Sequence, residues 1–202
     1  VAGDAQKEPY QGSITRAQFC RTALLLYTRL SGKQPPGAAA AFSDTADPAA
    51  ASAHALGIIT GRDETTFAPD APISRQELAV MLTRTLNAAG IATDVSDTEL
   101  AIALGSYADL SDMADWAARA FAFCLQKQLI RGMSDTQLAP RMSTTREQAI
   151  VLSYRCYQTY TSPAPSADAA ALTPSVSGAA ALLSQNDRSL TLRLSPIAGA
   201  AG

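Results

Sequence analysis

The chain has 202 residues, of which 47% are hydrophobic and 17% are charged, so its length suits one domain or one domain with a tail and its composition excludes charge-driven disorder. Sixteen basic residues against eighteen acidic ones give a net charge of −2, and this balance argues against nucleic acid as a partner, because proteins that bind it carry a basic excess. No apolar run approaches the roughly 20 residues that span a membrane, and we therefore expect a soluble globular protein without a membrane span.

Five helices are predicted between residues 14 and 160, after a lead-in over residues 1–13. Three form a central bundle, and two lie against its outside as lateral helices. In chain order they are a bundle helix from about residue 15, a lateral helix over about 47–57, a bundle helix from about 74, a lateral helix over about 111–129 and a bundle helix from about 145. Residues 161–202 are rich in Ala, Ser and Pro and are predicted to be a linker or tail. Within them, residues 189–195 alternate in polarity, which leaves both a short β segment and disorder open.

Each predicted bundle helix begins with a capping box, in which Ser or Thr is followed three residues later by Glu or Gln. The three pairs are Thr15 with Gln18, Ser74 with Glu77 and Thr145 with Gln148. Apolar residues then recur at helical spacing in each segment. Because each apolar stripe must be buried, and three like helices can bury their stripes against one another, a three-helix bundle is predicted.

The segments between the lateral and bundle helices contain glycine and proline at corresponding positions. Gly61 and Gly132 follow the last apolar residues of the lateral helices, where a left-handed closing residue is expected. Pro69 and Pro140 then stiffen the loop that leads to the next helix cap. A lateral helix, a loop and a bundle helix thus form one unit.

An arginine occupies the first helical position of each bundle helix, at Arg16, Arg75 and Arg146. The interaction of a cation at this position with the helix dipole is unfavourable by about 0.3–1 kcal/mol. An arginine there therefore needs another physical reason. One interpretation is an anion site, in which the guanidinium and the exposed helix N–H groups together recognise a carboxylate or phosphate. The other is an ion pair with a carboxylate of the neighbouring unit, for which Asp44 and Asp109 are the candidates.

Cysteine and histidine are too few for a metal site, since the chain has three Cys and one His and neither a Cys-x-x-Cys nor a paired His motif. No metal and no cofactor are therefore expected. Cys20, Cys124 and Cys156 lie in apolar helical stretches, so we expect buried, unreactive thiols. A Cys20–Cys156 disulfide is the alternative.

The chain contains an internal repeat, because residues 61–75 align with residues 132–146 without a gap. The alignment continues to the pairs Val80/Val151 and Arg84/Arg155. Two further short motifs repeat. Phe42-Ser-Asp44 corresponds to Tyr107-Ala-Asp109. The start of the bundle helix occurs a third time, at Ile14-Thr-Arg-Ala-Gln18. Such self-similarity indicates an array of like units.

The order and spacing of these motifs resemble those of the S-layer homology (SLH) motif of Gram-positive cell-surface proteins, over about residues 10–160. The resemblance implies a mainly α, pseudo-threefold domain with a central three-helix bundle and lateral helices. It also implies a non-catalytic, extracellular module, associated with the cell wall or S-layer. Its partner would be an acidic secondary cell wall polysaccharide, often pyruvylated, held in grooves between units.

The resemblance assigns the contact with the acidic ligand to the signature arginines and places the groove loops at Gly61–Phe67 and Gly132–Leu138. The expected ligand-binding residues are Arg75, Arg146, Arg16, Gly61, Asp63, Gly132, Asp135, Asp44, Asp109 and Trp116. Trp116 has two open interpretations, as a sugar-stacking residue and as a core anchor of its helix. No catalytic residue is expected, because repeat-equivalent acids such as Asp44 and Asp109 lack the different environments of an acid–base pair.

The first unit departs from the family pattern because it lacks its own lateral helix. This gap leaves an apolar flank of the bundle to be covered. A protein-interaction or self-association scaffold with degenerate glycan grooves is therefore the alternative function.

Overall fold

The computed structural model describes residues 10–161, and this part of the chain is helical. It contains α1 (Arg16–Ser31), α2 (Pro48–Ala55), α3 (Arg75–Ala88), α4 (Asp97–Leu104), a short 3₁₀-helix (Leu110–Asp112), α5 (Asp115–Gln126) and α6 (Arg146–Thr161). The described residues contain no strand, only isolated bridges, so the predicted mainly α class is confirmed. The predicted linker and the segment 189–195 lie outside the described residues. None of the described helices is long and apolar enough to cross a membrane.

The bundle consists of α1, α3 and α6, with α1 packed against both others. Lateral helix α2 packs on α1, and lateral helix α5 packs on α3. The core side chains are almost wholly inaccessible to solvent, and the largest include Phe19, Phe67, Leu82, Phe121 and Leu138. Each such side chain stabilises the folded state by about 1.5–3 kcal/mol through its burial. This core holds the loops between the units in place.

Three backbone hydrogen bonds close a ring around the pseudo-threefold axis, just before the bundle helices begin. Ile14 N–H donates to Thr144 O (3.0 Å), Thr144 N–H donates to Ile73 O (2.9 Å), and Ile73 N–H donates to Ile14 O (3.1 Å). Each of the three residues therefore gives one bond and receives one. We call this arrangement the cap ring.

The capping boxes at the bundle helices are confirmed. In α1 and α3 the cap side chain accepts from the third backbone N–H, and the Gln or Glu side chain reaches back to the cap N–H. Thr145 and Gln148 make the same two bonds at 3.2 Å. The capping-box motif therefore predicted the starts of these helices correctly.

The lateral helices end differently from the prediction. Gly57 (φ 70°) and Gln128 (φ 54°) are the left-handed residues that close α2 and α5, whereas Gly61 and Gly132 do not have positive φ. The bonds from Gly57 N–H to His54 O and from Ile58 N–H to Ala53 O form a Schellman motif. The assignment of the closing role to Gly61 and Gly132 is therefore wrong.

The segment before α5 contains a helix that the sequence analysis missed. In α4, Ser96 and Glu99 form a fourth capping box, and Arg119 of α5 donates to Val95 O and to the Asp97 carboxylate. The helix predicted over about 111–129 is in fact a 3₁₀-helix followed by α5.

All three cysteines are buried free thiols, as predicted, and the alternative Cys20–Cys156 disulfide is not formed. Burial raises the pKa of Cys20 and of Cys156 to about 12. Burial also raises the pKa of Cys124. The thiols therefore stay protonated at neutral pH and act as small hydrophobic side chains.

Candidate functional site

The signature arginines of the first two bundle helices are buried and hydrogen-bonded to the protein main chain. Arg16 is 5% exposed, and it donates from Nε to Phe67 O (2.9 Å) and from Nη2 to Thr60 O (3.2 Å). Its Nη1 lies 2.9 Å from Glu77 Oε1. Burial lowers the pKa of the Arg16 guanidinium, and the charge of Glu77 opposes that shift.

Arg75 repeats this arrangement one unit further along. It is 6% exposed, and it donates from Nε to Leu138 O (2.8 Å) and from Nη2 to Arg131 O (2.6 Å). Burial lowers the pKa of Arg75, whereas the charge of Asp109 raises it. Both arginines therefore hold the loop of the following unit by its main chain.

Asp44 and Asp109 bind the other side of the same loop residues. Asp44 accepts from the N–H groups of Phe67 (2.9 Å) and Ala68 (2.7 Å). Asp109 accepts in the same way from Leu138 (3.0 Å) and Ala139 (2.7 Å). Neither carboxylate forms an ion pair with Arg16 or Arg75, because each Asp and Arg instead meet on one peptide unit. The ion-pair interpretation is confirmed for Arg16, but its partner in the neighbouring unit is Glu77 rather than Asp44.

Phe67 and Leu138 are consequently clamped from both sides. An aspartate holds the N–H and an arginine holds the C=O of each, while their side chains are fully buried. The next residues, Ala68 and Ala139, are left-handed at φ 57° and 50°, a conformation that costs a non-glycine residue about 1 kcal/mol or more. The repeated Asp and Arg thus enforce a strained turn in each loop.

The helix N-termini of the bundle offer no free N–H groups in the described part of the chain. The first two N–H groups of each helix donate to carbonyls of the loop before the next bundle helix: Arg16 to Ala71, Ala17 to Pro69, Arg75 to Met142, Gln76 to Pro140, Arg146 to Gly12 and Glu147 to Tyr10, all at 2.9–3.0 Å. The side-chain oxygen of the cap residue accepts a hydrogen bond from the third N–H group. The interpretation of an anion site built on exposed helix N–H groups is therefore wrong.

The clamping carboxylates predict how stability depends on pH. The N–H bond from Phe67 lowers the pKa of Asp44; burial raises the pKa of Asp109, but its N–H bonds from Leu138 and Ala139 outweigh burial and lower it overall. A lowered folded-state pKa contributes stability above the unfolded value of about 3.9, and this contribution is lost as pH falls through the folded value. We therefore expect a nearly constant melting temperature between about pH 5 and 7 and a fall below about pH 4.

Thermal unfolding monitored by circular dichroism across this range measures the effect. The Asp44→Asn/Asp109→Asn variant is expected to melt at a lower temperature at neutral pH, yet to lose less on acidification. If acidification lowers the melting temperature of the variant and the parent chain equally, other carboxylates cause the loss of stability at low pH.

Gly61 and Gly132 allow the loops to fold closely on themselves. A Cβ on Gly61 would lie 2.1 Å from Asp63 O, and one on Gly132 would lie 2.5 Å from Ser134 O. The Asp63 carboxylate accepts from Thr65 N–H and Thr66 N–H, and Ser134 Oγ accepts from Thr136 N–H in the other loop. Asp63 therefore shapes its own turn, and Ser134 occupies the equivalent position in the second loop.

A groove of about 380 Å³ lies above Arg16, between the loop that begins at Thr60, helix α3 and the start of α5. Its lining residues with polar or aromatic side chains are Arg16, Thr60, Arg62, Glu77, Arg84 and Trp116. Trp116 is 60% exposed, so its interpretation as a core anchor is wrong. We call this feature the Trp116 groove.

Of the predicted site residues, the Trp116 groove brings together Arg16, Gly61 and Trp116. The other seven do not line it. Asp44 and Asp63 hold the first loop, the second loop and its supports include Arg75, Asp109, Gly132 and Asp135, and Arg146 starts α6. Sequence reasoning missed Arg62, Glu77 and Arg84 as site residues. The pairing of Arg84 with Arg155 in the repeat was the available signal.

The family comparison matches this architecture. The S-layer homology domain model matches residues 42–79 and 106–150, and each range runs from a phrase that contains a clamping aspartate, through a lateral helix and loop, into a bundle helix. The chain carries two tandem matches to the SLH domain. SLH domains are generally non-catalytic modules that anchor proteins by binding cell wall polymers, and their presence associates this chain with the cell surface or S-layer.

A curated relative supports the SLH assignment. An endoglucanase from Bacillus sp. (strain KSM-635) is 29% identical over 101 residues, which cover 50% of this chain and 9% of the relative. The chain thus matches a small part of that protein, through its SLH region. The SLH match concerns anchoring, and it carries no implication of endoglucanase activity for this chain.

Proposed function

We propose that this SLH chain anchors a surface protein by binding an acidic secondary cell wall polysaccharide in the Trp116 groove. The observation that carries the proposal is the meeting of three arginines and an exposed tryptophan face in one groove. A sugar that bears a carboxylate, such as a pyruvylated one, has both an anionic group and an apolar ring face. These are the two features that such a lining can recognise.

The charges in the groove favour an anion. Arg16 is balanced by Glu77, which also lies 3.5 Å from Arg62. Arg62 is 51% exposed, and Arg84 is half-buried with Nη1 bonded to Thr60 Oγ1 (3.2 Å). Because a guanidinium carries five N–H donors, Arg62 and Arg84 retain donors for a carboxylate, and partial burial strengthens such a bond.

Substitution of Arg62 by Gln and Trp116 by Ala tests the proposal. Both side chains are exposed, so the double variant is expected to fold with nearly unchanged stability. We expect its binding to isolated Gram-positive cell walls to fall about tenfold or more, since a charge-assisted hydrogen bond and an aromatic contact each contribute about 1 kcal/mol or more. Co-sedimentation measures the bound fraction.

Arg29→Gln is the matched control, because Arg29 is exposed on α1 and does not line the groove. Walls stripped chemically of their secondary polysaccharide form the second control, and the parent chain should not bind them. Undiminished binding by the folded double variant would contradict the proposed groove. Undiminished binding to stripped walls would contradict the proposed ligand.

Ligand contact by Arg146 stays a prediction. For Arg75, the two bonds to loop carbonyls support a positioning role. Gly132 of the second loop is likewise proposed to shape a groove rather than to bind directly. Ligand contact by Asp135 stays a prediction.

Self-association is the second candidate function, and the surface of α6 favours it. Ile150 and Tyr154 are 50% and 58% exposed, whereas the equivalent residues of α3, Ala79 and Thr83, are buried in the helix that α5 covers. An apolar face of this kind can be covered by a second copy of the chain. Sedimentation velocity over a concentration series tests it, and a concentration-independent monomer would contradict it.

A further inference from the structure

Three positions of the bundle helices are buried in α1 and α3 and exposed in α6. Counted from the signature arginine of each helix, they carry in α6 the residues Ile150, Tyr154 and Tyr157, and all three side chains are exposed. The equivalent residues of α1 and α3 are all buried, and they are Cys20, Leu24, Tyr27, Ala79, Thr83 and Leu86. We call the three exposed residues the α6 face.

A lateral helix packs on each of the other two bundle helices. Helix α2 packs on α1, where Cys20 Sγ donates to Ala49 O of α2 (3.7 Å), and α5 packs on α3. Within residues 10–161, α1 is the only helix that packs extensively against α6. The α6 face is therefore the counterpart of two surfaces that each hold a short helix.

The α6 face has the size of a single helix. The helices that pack at the equivalent places, α2 and α5, have 8 and 12 residues. A stable dimer interface takes about 20–30 residues from each side, which is far more than this face offers. These dimensions favour a helical segment over a second copy of the whole chain.

The side chains of the α6 face require small residues in the helix that covers them. Ile150 and Tyr154 are larger than Ala79 and Thr83 of α3. Helix α1 also has large side chains at these positions, and the residues that α2 buries are alanines: Ala50, Ala51 and Ala53. Because protein interiors are close-packed, large side chains on one helix need small ones opposite. The α6 face therefore fits an alanine-rich helix of the α2 type.

Glu147 lies where the covering helix would begin. Its counterpart in α3 is Gln76, and Gln76 Oε1 accepts from the N–H of Ala114, the cap residue of α5 (3.0 Å). Glu147 is exposed and belongs to none of the ion pairs of the described residues. A carboxylate beside a helix start is favourable, because the unpaired N–H groups and the helix dipole make that end positive.

We propose that the α6 face is a docking site for a short, alanine-rich helix of a partner protein, with the first turn of that helix beside Glu147. The site is separate from the Trp116 groove, so the inference goes beyond polysaccharide binding and does not rest on it. Docking there joins a protein partner to the domain, whereas the Trp116 groove is proposed to hold the wall.

Fluorescence anisotropy tests the proposal with the full chain and a labelled, acetylated peptide that has the sequence of residues 45–59. This peptide contains α2, the helix that covers the equivalent surface of α1. In the peptide, Asp47 is replaced by Ser, which also caps a helix and keeps a second carboxylate away from Glu147. A peptide of the same composition in scrambled order is the control.

We expect saturable binding of the α2 peptide and none of the scrambled one. The Ile150→Ser/Tyr154→Ser variant should bind about tenfold or more weakly, because two apolar side chains no longer become buried. Leu25→Ser/Ile102→Ser is the matched control, since it removes two large apolar side chains that are exposed on other helices. Thermal unfolding verifies that the variants fold.

Substitution of Glu147 tests the direction of the docked helix. Glu147→Lys is expected to weaken peptide binding about threefold to fivefold, because a cation would face the positive end of the helix. Glu147→Gln should bind like the parent chain, since Gln76 makes the equivalent contact in α3. Equal binding by the two variants would contradict the proposed direction.

Three results would overturn the docking site. They are the absence of saturable peptide binding by the parent chain, equal affinities of the Ile150→Ser/Tyr154→Ser variant and its matched control, and a dimer of the parent chain that this variant abolishes in sedimentation velocity. The dimer would assign the α6 face to a second copy. The Arg62→Gln/Trp116→Ala variant should bind the peptide like the parent chain, so the docking site and the proposed function can fail separately.

Discussion

Replacement of Arg75 by methionine is expected to lower the free energy of unfolding by about 3–6 kcal/mol, since each hydrogen bond from a charged donor contributes about 1.5–3 kcal/mol. The substitution leaves Leu138 O and Arg131 O without their guanidinium donor. Methionine keeps the length of the apolar stem beside the Phe121 ring, which lies 5.9 Å from the guanidinium carbon. The loss would be a large part of a typical stability of 5–15 kcal/mol.

Urea denaturation monitored by circular dichroism measures this effect. Arg29→Met is the control, because Arg29 is exposed and its replacement should change stability by less than about 0.5 kcal/mol. Equal denaturation midpoints for the two variants would show that the loop closes without Arg75. If the expected loss is found, weak wall binding by an Arg75 variant reports unfolding rather than a lost ligand contact.

Replacement of Gly61 by alanine is expected to destabilise the chain by about 3 kcal/mol, at the upper end of the range for overpacking. The new Cβ would lie 2.1 Å from Asp63 O and 2.7 Å from Thr66 O. Both atoms belong to the main chain of a turn held by the Asp63 carboxylate. The turn must therefore open, and opening it also displaces the lining of the Trp116 groove.

Gly37→Ala provides the matched control for this substitution. A Cβ on Gly37 meets no atom within 4 Å, and Gly37 does not have positive φ, so alanine is expected to be neutral or stabilising by up to about 1 kcal/mol. Gly132→Ala should fall between the two, because its shortest contact is 2.5 Å. Thermal melts of the three variants measure this order, and a Gly61→Ala variant as stable as Gly37→Ala would contradict the clash.

The sequence predicted those features that depend on local signals. A capping box is local, because both of its bonds join residues three apart, and the starts of α1, α3 and α6 followed from it. The repeat was also readable, because two copies of one turn need the same glycine. These signals were sufficient for the fold class and for the SLH assignment.

The role of the signature arginines could not be predicted, because it depends on contacts between distant residues. Arg16 and Phe67 are 51 positions apart, and the sequence does not show whether a cation at a helix start points to solvent or to a carbonyl. The left-handed Gln128 was missed for another reason: its equivalent is Gly57, and glutamine gives no such signal. Trp116 was ambiguous because α5 is apolar on several sides, and tertiary packing decided its exposure.

The cap ring has a consequence for how the domain folds. In an open solenoid each repeat contacts only its neighbours, so ends can fray and repeats can be added. Here the N–H and C=O groups of Ile14, Ile73 and Thr144 are all used up by one another, so a fourth unit has no site at which to join. The first and last bundle helices also depend on each other across more than 100 residues of chain. The array is therefore expected to form as one cooperative, closed triad, in which a partial set of units is not a stable intermediate.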